Sequence, residues 1–208
     1  MSVSVVVLAA GKGTRMKSDL PKVLHEVLGK PILTHALDAL SFIENKYVVV
    51  GHESDMVINL LPTSTKHILQ KNQLGTGHAV STVVSDKLFA ENKSEFTLVV
   101  PGDVPAIETE DIHHLISEVK TKTSSVGFLT SKVKNPHGYG RIVRNNEEVR
   151  IVEEKDCSDD ERKINEINSG IYCFNTDFLI ENIDSLDTKN SQGEFYLTDL
   201  IGIANNQK

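Results

Sequence analysis

A glycine-rich, basic loop near the N-terminus is the first segment whose residue types could carry chemistry. Residues 8–16 read LAAGKGTRM and follow a run of valines. The loop is not a dinucleotide-binding fingerprint, because Met16 stands where G-x-G-x-x-G requires its third glycine. It is not a Walker A loop, because Gly11-Lys12 lacks the upstream glycine and is followed by Gly13. Two interpretations remain: a turn that offers backbone N–H groups and cations to a polyphosphate, or a strand-terminal turn with solvated cations.

The charge distribution favours a compact anionic ligand. The chain of 208 residues has a net charge of −7, from 22 Lys and Arg against 29 Asp and Glu. Residues 9–22 are net +3, which leaves −10 for the rest of the chain. The charged residues of this segment are Lys12, Arg15, Lys17, Asp19 and Lys22. An acidic chain is poorly suited to non-specific binding of nucleic acid, whereas a small positive island suits a small phosphate-bearing ligand.

Two further observations argue against a membrane or exported protein. The first ten residues lack a basic n-region, and their apolar run is too short for a signal peptide or a membrane span. Cys157 and Cys173 form neither a C-x-x-C motif nor a disulfide framework. We therefore expect a globular cytoplasmic protein.

Strands alternate with helical patterns over the first half of the chain, which predicts a mostly parallel sheet with helices on both faces. The segments LAAGKGTR, QLGTG and PGDVP follow predicted strands, at the edge where such sheets bind ligands. From residue 124 the pattern changes to shorter strands, which predicts a β-rich second part without a linker before it. The predicted strands are 3–10, 46–50, 66–69, 96–100, 126–132, 139–144, 148–153 and 167–174; the predicted helices are 31–41, 54–61, 77–88, 110–120 (Thr109 as its cap) and 197–204.

Motifs spread over nearly the whole chain resemble those of sugar-nucleotide pyrophosphorylases. The first is LAAGKGTRM continued by KSDLPKVLHEVLGKPIL. The others, in the same order as in the family, are ILQKNQLGTGHAV, GDVP, NPHGYGRIVR, IVEEKD, EINSGIY and NSQGEFYLTD. Each piece alone is modest, but the set is specific, and it is most similar to uridyltransferases that act on N-acetylglucosamine-1-phosphate.

The resemblance implies a Rossmann-like α/β fold and magnesium-dependent attack by N-acetylglucosamine-1-phosphate on the α-phosphorus of UTP. The attacking phosphate oxygen is ionised at pH 7, so catalysis needs positioning and charge neutralisation but no general base. The expected organisation is one nucleotidyltransferase domain over 1–208, with a nucleotide-binding part at about 1–123 and a sugar-binding part at about 124–208. Alternatives are another pair of sugar phosphate and nucleotide, or a nucleotide-sugar-binding module without turnover.

Matched by position, the family's functional residues fall into four groups. The catalytic residues implied are Arg15 and Lys22, which would neutralise the phosphates. The nucleotide-binding residues implied are Leu8, Ala9, Ala10, Gly11, Lys22, Gln70, Gln73, Gly75 and Thr76. The sugar-binding residues implied are Gly140, Glu153 and Asn168. The Mg²⁺ ligand implied is Asp103, since this hard cation prefers carboxylate oxygens together with substrate phosphates.

Several of these residues also have plainer explanations. Lys22 has the type of an ordinary surface lysine, and residues 75–77 have the composition of a helix start. Asp103 could cap the segment that follows it, and Glu153 could be one more charge in a charged run. Pro101 departs from relatives that carry an aromatic residue there, which changes the expected wall of the adjoining pocket.

Two arguments bear on ligand recognition. Glu153 shares strand parity with Val149 and Ile151, so its carboxylate continues an otherwise apolar face, as a hydroxyl-binding group would. A glutamine amide can turn to suit uracil or cytosine, so we expect backbone groups of Gly75 and Ala10 to discriminate between these bases.

The end of the sequence bears on the metal site. Relatives hold magnesium with a second ligand, an asparagine beyond the G-E-[FY]-Y-[LI]-T-D segment, which here ends at Asp199. The chain finishes at Lys208, and Asn205 and Asn206 lie too close behind that segment to match. The hexapeptide-repeat acetyltransferase domain of bifunctional relatives does not follow either. We therefore expect a fragment or a short form with a half-built metal site.

Overall fold

The computed structural model describes residues 2–13, 16–145 and 148–207. The strands are β1 (Val3–Ala9), β2 (Glu26–Val27), β3 (Lys30–Pro31), β4 (Asn45–Val50), β5 (Lys66–Leu69), β6 (Phe96–Pro101), β7 (Val126–Lys132), β8 (Arg141–Asn145), β9 (Glu148–Val152) and β10 (Glu166–Asn175). The α-helices are α1 (Ile32–Ala39), α2 (Ser54–Ile58), α3 (Thr76–Val84), α4 (Lys87–Glu91), α5 (Thr109–Thr121), α6 (Thr176–Asn182) and α7 (Asp199–Asn206).

A mixed sheet, eight-stranded within the described residues, organises the molecule. Strands β5, β4, β1 and β6 lie side by side and run parallel. Strand β10 pairs antiparallel with the other side of β6, and β7, β8 and β9 extend the sheet from there. The β-rich second half of the chain therefore continues the sheet that the first half begins.

The first strand shows why the parallel part lies in the middle of the molecule. Successive side chains of a strand point to opposite faces, so a continuous valine run gives two apolar faces. Val5 and Val7 pack with α1, α2 and α5 on one face, and Val6 packs with α3, α4, α6 and α7 on the other. All three valines are fully buried. Helices on both faces were the expectation from the sequence, and the structure confirms it.

Most predicted elements are confirmed within one or two residues, and the differences have local causes. The predicted helix 77–88 is broken at Ser85 and Asp86, because the Asp86 side chain caps the separate helix α4 by accepting the N–H of Leu88. Thr109 does not cap α5, because its hydroxyl donates to the carbonyl of Ala39 at 2.9 Å. Helix α6 and the short hairpin of β2 and β3 were not predicted.

No helix among residues 2–13, 16–145 and 148–207 is both long enough and apolar enough to cross a bilayer.

Candidate active site

A cleft of about 820 Å³ lies at the carboxyl ends of the parallel strands, between them and the sheet formed by β8, β9 and β10. Twelve of the fourteen residues expected from the sequence line it: Leu8, Ala9, Ala10, Gly11, Lys22, Gln70, Gln73, Gly75, Thr76, Asp103, Glu153 and Asn168. Arg15 falls outside the described residues, and Gly140 lies directly behind the lining. The topology thus brings segments from both halves of the sequence to one cavity.

The turn after β1 forms the floor of the cleft. Its carbonyl groups are tied to neighbouring strands: Gly102 donates to Leu8 at 2.9 Å, and His52 donates to Ala10 at 3.4 Å. Gly51 was not singled out from the sequence, yet a Cβ there would lie 2.8 Å from the Ala10 oxygen and 2.7 Å from the Gln73 amide nitrogen. The backbone of β1 and the loop 51–53 therefore approach one another too closely for any side chain at Gly51.

Lys22 reaches the cleft from a short 3-10 turn, Lys22–Leu24, that begins directly after Pro21. The buried side chain of Val23 anchors this turn in the core beneath α1. The ammonium of Lys22 lies 2.6 Å from Asp103 Oδ2, and both side chains are partly exposed, at 42% and 33%. The two residues expected to handle phosphate and metal therefore contact each other.

The expected nucleobase segment is held by its own hydrogen bonds. Gln70 is buried, and its amide nitrogen donates to the Gly75 carbonyl at 3.2 Å and lies 2.9 Å from His78 Nδ1. The Gly75 carbonyl can only accept, so the amide of Gln70 is fixed with its NH₂ toward that oxygen. The amide of Gln73 donates to the Gln70 carbonyl at 2.9 Å. Gln70 therefore presents a fixed pattern, in contrast to the freely turning amide assumed from the sequence.

Residues 195–197, which are distant in the sequence, pack against the expected nucleobase segment, and no local pattern in the sequence predicts this contact. Phe195 donates its N–H to the Leu74 carbonyl and accepts the N–H of Gly77, both at 2.8 Å. The N–H of Leu197 donates to the Thr76 hydroxyl at 3.2 Å. Thr76 also begins α3, so the plainer explanation of a helix start holds as well. Residues 195–197 thus form the outer wall of the segment that carries Gln70, Gln73, Gly75 and Thr76.

The expected sugar-binding residues converge on the opposite wall. Asn168 donates its backbone N–H to the Gly140 carbonyl at 2.9 Å, which places the two residues side by side. A Cβ on Gly140 would lie 3.5 Å from both Asn168 Cβ and Glu153 Oε2. The Asn168 side chain accepts the N–H of Gly170 at 3.0 Å and donates to the Tyr172 hydroxyl at 2.6 Å, so its orientation is also fixed.

Glu153 sits just after β9, facing the cleft as its strand parity predicted. Burial raises the pKa of its carboxyl, and the carboxylates of Asp156, Asp199 and Glu194 raise it further, although the hydrogen bond from Thr198 opposes this. The Thr198 hydroxyl lies 3.4 Å from Glu153 Oε1. A carboxyl that is largely shielded from water, and that among the described residues has only the long hydrogen bond from Thr198, is suited to accept hydrogen bonds from a ligand.

Several lining residues were missed, and some of them could have been found. Thr198 belongs to the quoted NSQGEFYLTD segment, and Tyr172 alternates with Phe174 on one face of β10. Tyr172 is nearly fully buried, and burial raises the pKa of its phenol well above the usual range. Glu194 also lines the cleft, and it belongs to the same quoted segment as Thr198.

The comparison with known families decides what kind of protein this is. A family model described as a MobA-like NTP transferase domain matches residues 5–154. The chain belongs to the MobA-like NTP transferase family. The matched range contains every cleft-lining residue expected from the sequence except Asn168.

Curated relatives extend the match past the MobA-like domain. The bifunctional protein GlmU of Fervidobacterium nodosum is 48% identical over 202 residues, which are 97% of this chain and 44% of that protein. The bifunctional protein GlmU of Lactococcus lactis subsp. lactis is 46% identical over 207 residues, 98% of this chain and 44% of that protein. The chain therefore spans less than half the length of these relatives.

Solved structures share the fold of this MobA-like chain. A UDP-glucose pyrophosphorylase complexed with UDP-glucose has a TM-score of 0.76 at 18% identity, covering 100% of this chain and 88% of that one. HddC from Yersinia pseudotuberculosis has a TM-score of 0.68 at 20% identity, covering 95% and 84%. These similarities confirm the α/β nucleotidyltransferase fold that the motifs had implied.

Proposed function

We propose that the chain transfers uridylyl from UTP to N-acetylglucosamine-1-phosphate, giving UDP-N-acetylglucosamine and pyrophosphate. The observation that carries the proposal is that one cleft is lined by residues of all three expected kinds: Lys22 for phosphate, Gln70 and Gln73 for the base, and Glu153 and Asn168 for the sugar. The close sequence relationship to the bifunctional protein GlmU supports it.

The chemistry requires little beyond positioning. A phosphate oxygen of the sugar phosphate forms a bond to the α-phosphorus of UTP, while the bond from that phosphorus to the bridging oxygen breaks and its electron pair leaves with pyrophosphate. The nucleophile carries no proton at pH 7, so no base has to remove one. Lys22 supplies a cation to the transferring phosphate, and Arg15 remains the second cation proposed from the motif match.

Base recognition in this proposal rests on groups that cannot reorient. The amide of Gln70 is fixed by the Gly75 carbonyl, and residues 195–197 hold the loop that follows it. With its two amide hydrogens directed at Gly75 and His78, Gln70 offers its Oε1 as a fixed acceptor, which suits the N3–H of uracil and not the unprotonated N3 of cytosine. The backbone at Ala10, which lines the same cleft, adds a second fixed group.

The proposed cofactor is Mg²⁺, and the carboxylate proposed to hold it is that of Asp103, which lines the cleft. Asp103 stands after the end of β6 with its side chain one-third exposed to the cleft. Within residues 2–13, 16–145 and 148–207, no group of three or more His, Cys, Asp or Glu side chains could hold a metal ion. Asp103 would therefore share the ion with substrate phosphates. The bound ion would neutralise part of the phosphate charge.

The proposed cellular location rests on the two cysteine thiols. Cys157 and Cys173 are both free and buried, and burial raises the pKa of the Cys173 thiol to about 12. Such thiols are unreactive packing groups that suit a reducing compartment. We therefore include a cytoplasmic location in the proposal.

The decisive experiment measures pyrophosphate release over a panel of nucleoside triphosphates and sugar-1-phosphates. We expect the highest kcat/KM for UTP with N-acetylglucosamine-1-phosphate. A higher value for another pair would replace the substrates in the proposal. Tight binding of nucleotide sugars without pyrophosphate release from any pair would instead indicate a binding module.

A further inference from the structure

We infer that Asp156 is a positioning residue, which holds residues 190–198 in the arrangement that closes the base side of the cleft and links it to the sugar side. The inference rests on the proposed function for its kinetic consequence, while its structural consequence stands independently. Asp156 is not among the residues that line the cleft, so its hydrogen bonds act on the cleft through the residues that it contacts, while its charge also raises the pKa of Glu153.

One carboxylate gathers three donors from residues 190–198. Asp156 Oδ1 accepts the backbone N–H of Ser191 at 2.9 Å and its hydroxyl at 2.5 Å. Asp156 Oδ2 accepts the hydroxyl of Tyr196 at 3.1 Å, and Tyr196 in turn accepts the amide of Gln192 at 2.9 Å. The Tyr196 side chain is buried, so this end of the bridge is shielded from water. Three charge-assisted bonds at one carboxylate define its geometry far better than a lone surface ion pair does.

Tyr196 is flanked by two residues that contact the expected nucleobase segment. Tyr196 stands between Phe195 and Leu197, whose backbone groups bracket residues 74–77. The side chain of Tyr196 therefore holds residues 195–197, whose backbone groups contact residues 74–77, from the side that faces away from the cleft. A shift of this stretch would move the Gly75 carbonyl, against which the Gln70 amide is oriented.

The same carboxylate sits on the turn that presents Glu153. Asp156 and Cys157 donate their N–H groups to the Glu153 carbonyl at 2.9 and 3.1 Å, which closes this turn. Thr198, two residues after Tyr196, lies 3.4 Å from the Glu153 carboxyl. Residues 190–198 and the turn 153–157 are thus joined twice, once inside the cleft and once behind it.

Asparagine at position 156 is the sharpest substitution. It keeps the size and one oxygen, but it replaces an acceptor with an NH₂ group that cannot accept the Tyr196 hydroxyl. In Asp156→Asn we expect KM for UTP to rise about tenfold, the scale of one lost hydrogen bond to a charged group, with kcat little changed. We also expect faster amide exchange at residues 190–197. Tyr196→Phe should do the same, because it removes the other partner of the same bond.

The double variant distinguishes a bridge from two separate defects. If Asp156 and Tyr196 act through one bond, Asp156→Asn with Tyr196→Phe should raise KM for UTP no more than the worse single variant. The control is Asp187→Asn, which removes the carboxylate charge that pairs with the Lys189 ammonium at 3.0 Å, close to these residues but outside the bridge. It should leave KM and the exchange of residues 190–197 unchanged.

The proposal is overturned if both single variants have normal exchange at residues 190–197, or if their effects on KM for UTP multiply. The proposed function fails separately, when the unaltered chain releases no pyrophosphate from UTP. Exchange then decides the bridge by itself: faster exchange in Asp156→Asn supports it, and unchanged exchange overturns it.

Discussion

The ammonium of Lys22 and the carboxylate of Asp103 lie 2.6 Å apart across the mouth of the cleft. One comes from the turn after Pro21 and the other follows β6, so the pair joins two segments that are 81 positions apart in the sequence. Both groups are expected to bind parts of one substrate complex. In the proposed function, phosphate and metal would each satisfy one of these charges, so the pair would exchange partners when the substrates bind.

The first prediction concerns Lys22, the lysine proposed to neutralise the transferring phosphate. Lys22→Ala should lower turnover about 10²- to 10³-fold, the scale of one preorganised electrostatic group, because it removes the ammonium that stands beside Asp103 in the cleft. The free energy of unfolding should change by less than about 1 kcal/mol, because the ion pair is partly exposed. Pyrophosphate release and urea denaturation measure the two effects.

Lys30→Ala is the matched control for Lys22→Ala. Lys30 also pairs with an aspartate, Asp38, at 2.6 Å, but this pair is exposed and outside the cleft. It should leave turnover unchanged. Near-normal turnover in Lys22→Ala, or an equal loss in both variants, would contradict the role assigned to Lys22.

The second prediction concerns the sugar pocket. Asn168→Ala and Glu153→Ala should raise KM for the sugar phosphate, because each removes a side chain from the proposed sugar-binding wall of the cleft. The dissociation constant of UTP should stay within about threefold of its original value. Steady-state kinetics and equilibrium titration with UTP test this. Equal losses for both substrates would point to damaged packing between the two walls.

The third prediction is a pH effect on stability. The pKa of the Glu153 carboxyl is raised by burial, so its ionisation above a pH of about 4.5 costs free energy in the folded state. Glu153→Gln removes this cost. It should therefore raise the free energy of unfolding relative to the unaltered chain at pH 7, with the gain disappearing as the pH falls below that value.

Glu154→Gln, at the neighbouring position, should change the free energy of unfolding in the opposite direction. The hydrogen bond from the N–H of Gly138 is the main cause that lowers the pKa of the Glu154 carboxyl. The Arg141 guanidinium lowers this pKa further, whereas burial raises it. Its contribution to stability is present at neutral pH and is lost as the pH falls through its lowered pKa. Glu154→Gln should therefore destabilise the protein at pH 7. Urea denaturation across pH 3–8 that gave both variants the same sign would refute the electrostatic account.

The fourth prediction tests the close approach at Gly75. Its φ is +109°, and a Cβ there would lie 2.6 Å from the Phe195 carbonyl oxygen. Gly75→Ala should cost about 2 to 4 kcal/mol of stability, from backbone strain and the clash together, and should weaken UTP binding. Gly138 has φ +88° but nothing within 4 Å of a Cβ. Gly138→Ala should cost only about 1 kcal/mol. Similar costs in the two variants would exclude the clash.

The sequence predicted the parallel half of the fold well because its signals are local. A valine run, glycine at strand ends and helical periodicity need no knowledge of distant residues. Helix α6 was missed because it follows β10 without a loop, with Asn175 as its cap. The break after α3 was missed because Asp86 reads as one more polar residue on a helix until its cap geometry is seen.

The site could be predicted as far as its residues belong to motifs. Gln70, Asp103 and Asn168 were found by position, and the structure brings them to one cleft. What could not be predicted are contacts between segments far apart in sequence. The bracket of Phe195 around residues 74–77 depends on backbone groups, which every residue type carries, so composition holds no trace of it.

Strand β10 has a consequence for the order in which the molecule can be assembled. Its residues Tyr172 to Asn175 cover the edge of β6, which is otherwise the open side of the parallel strands. During synthesis this apolar edge stays unpaired until the ribosome has passed β10, and an unpaired apolar edge invites association with other chains. The strand that carries Asn168 to the cleft therefore also completes the parallel half of the sheet. A shorter relative that lacked β10 would need another strand, or a partner, at that edge.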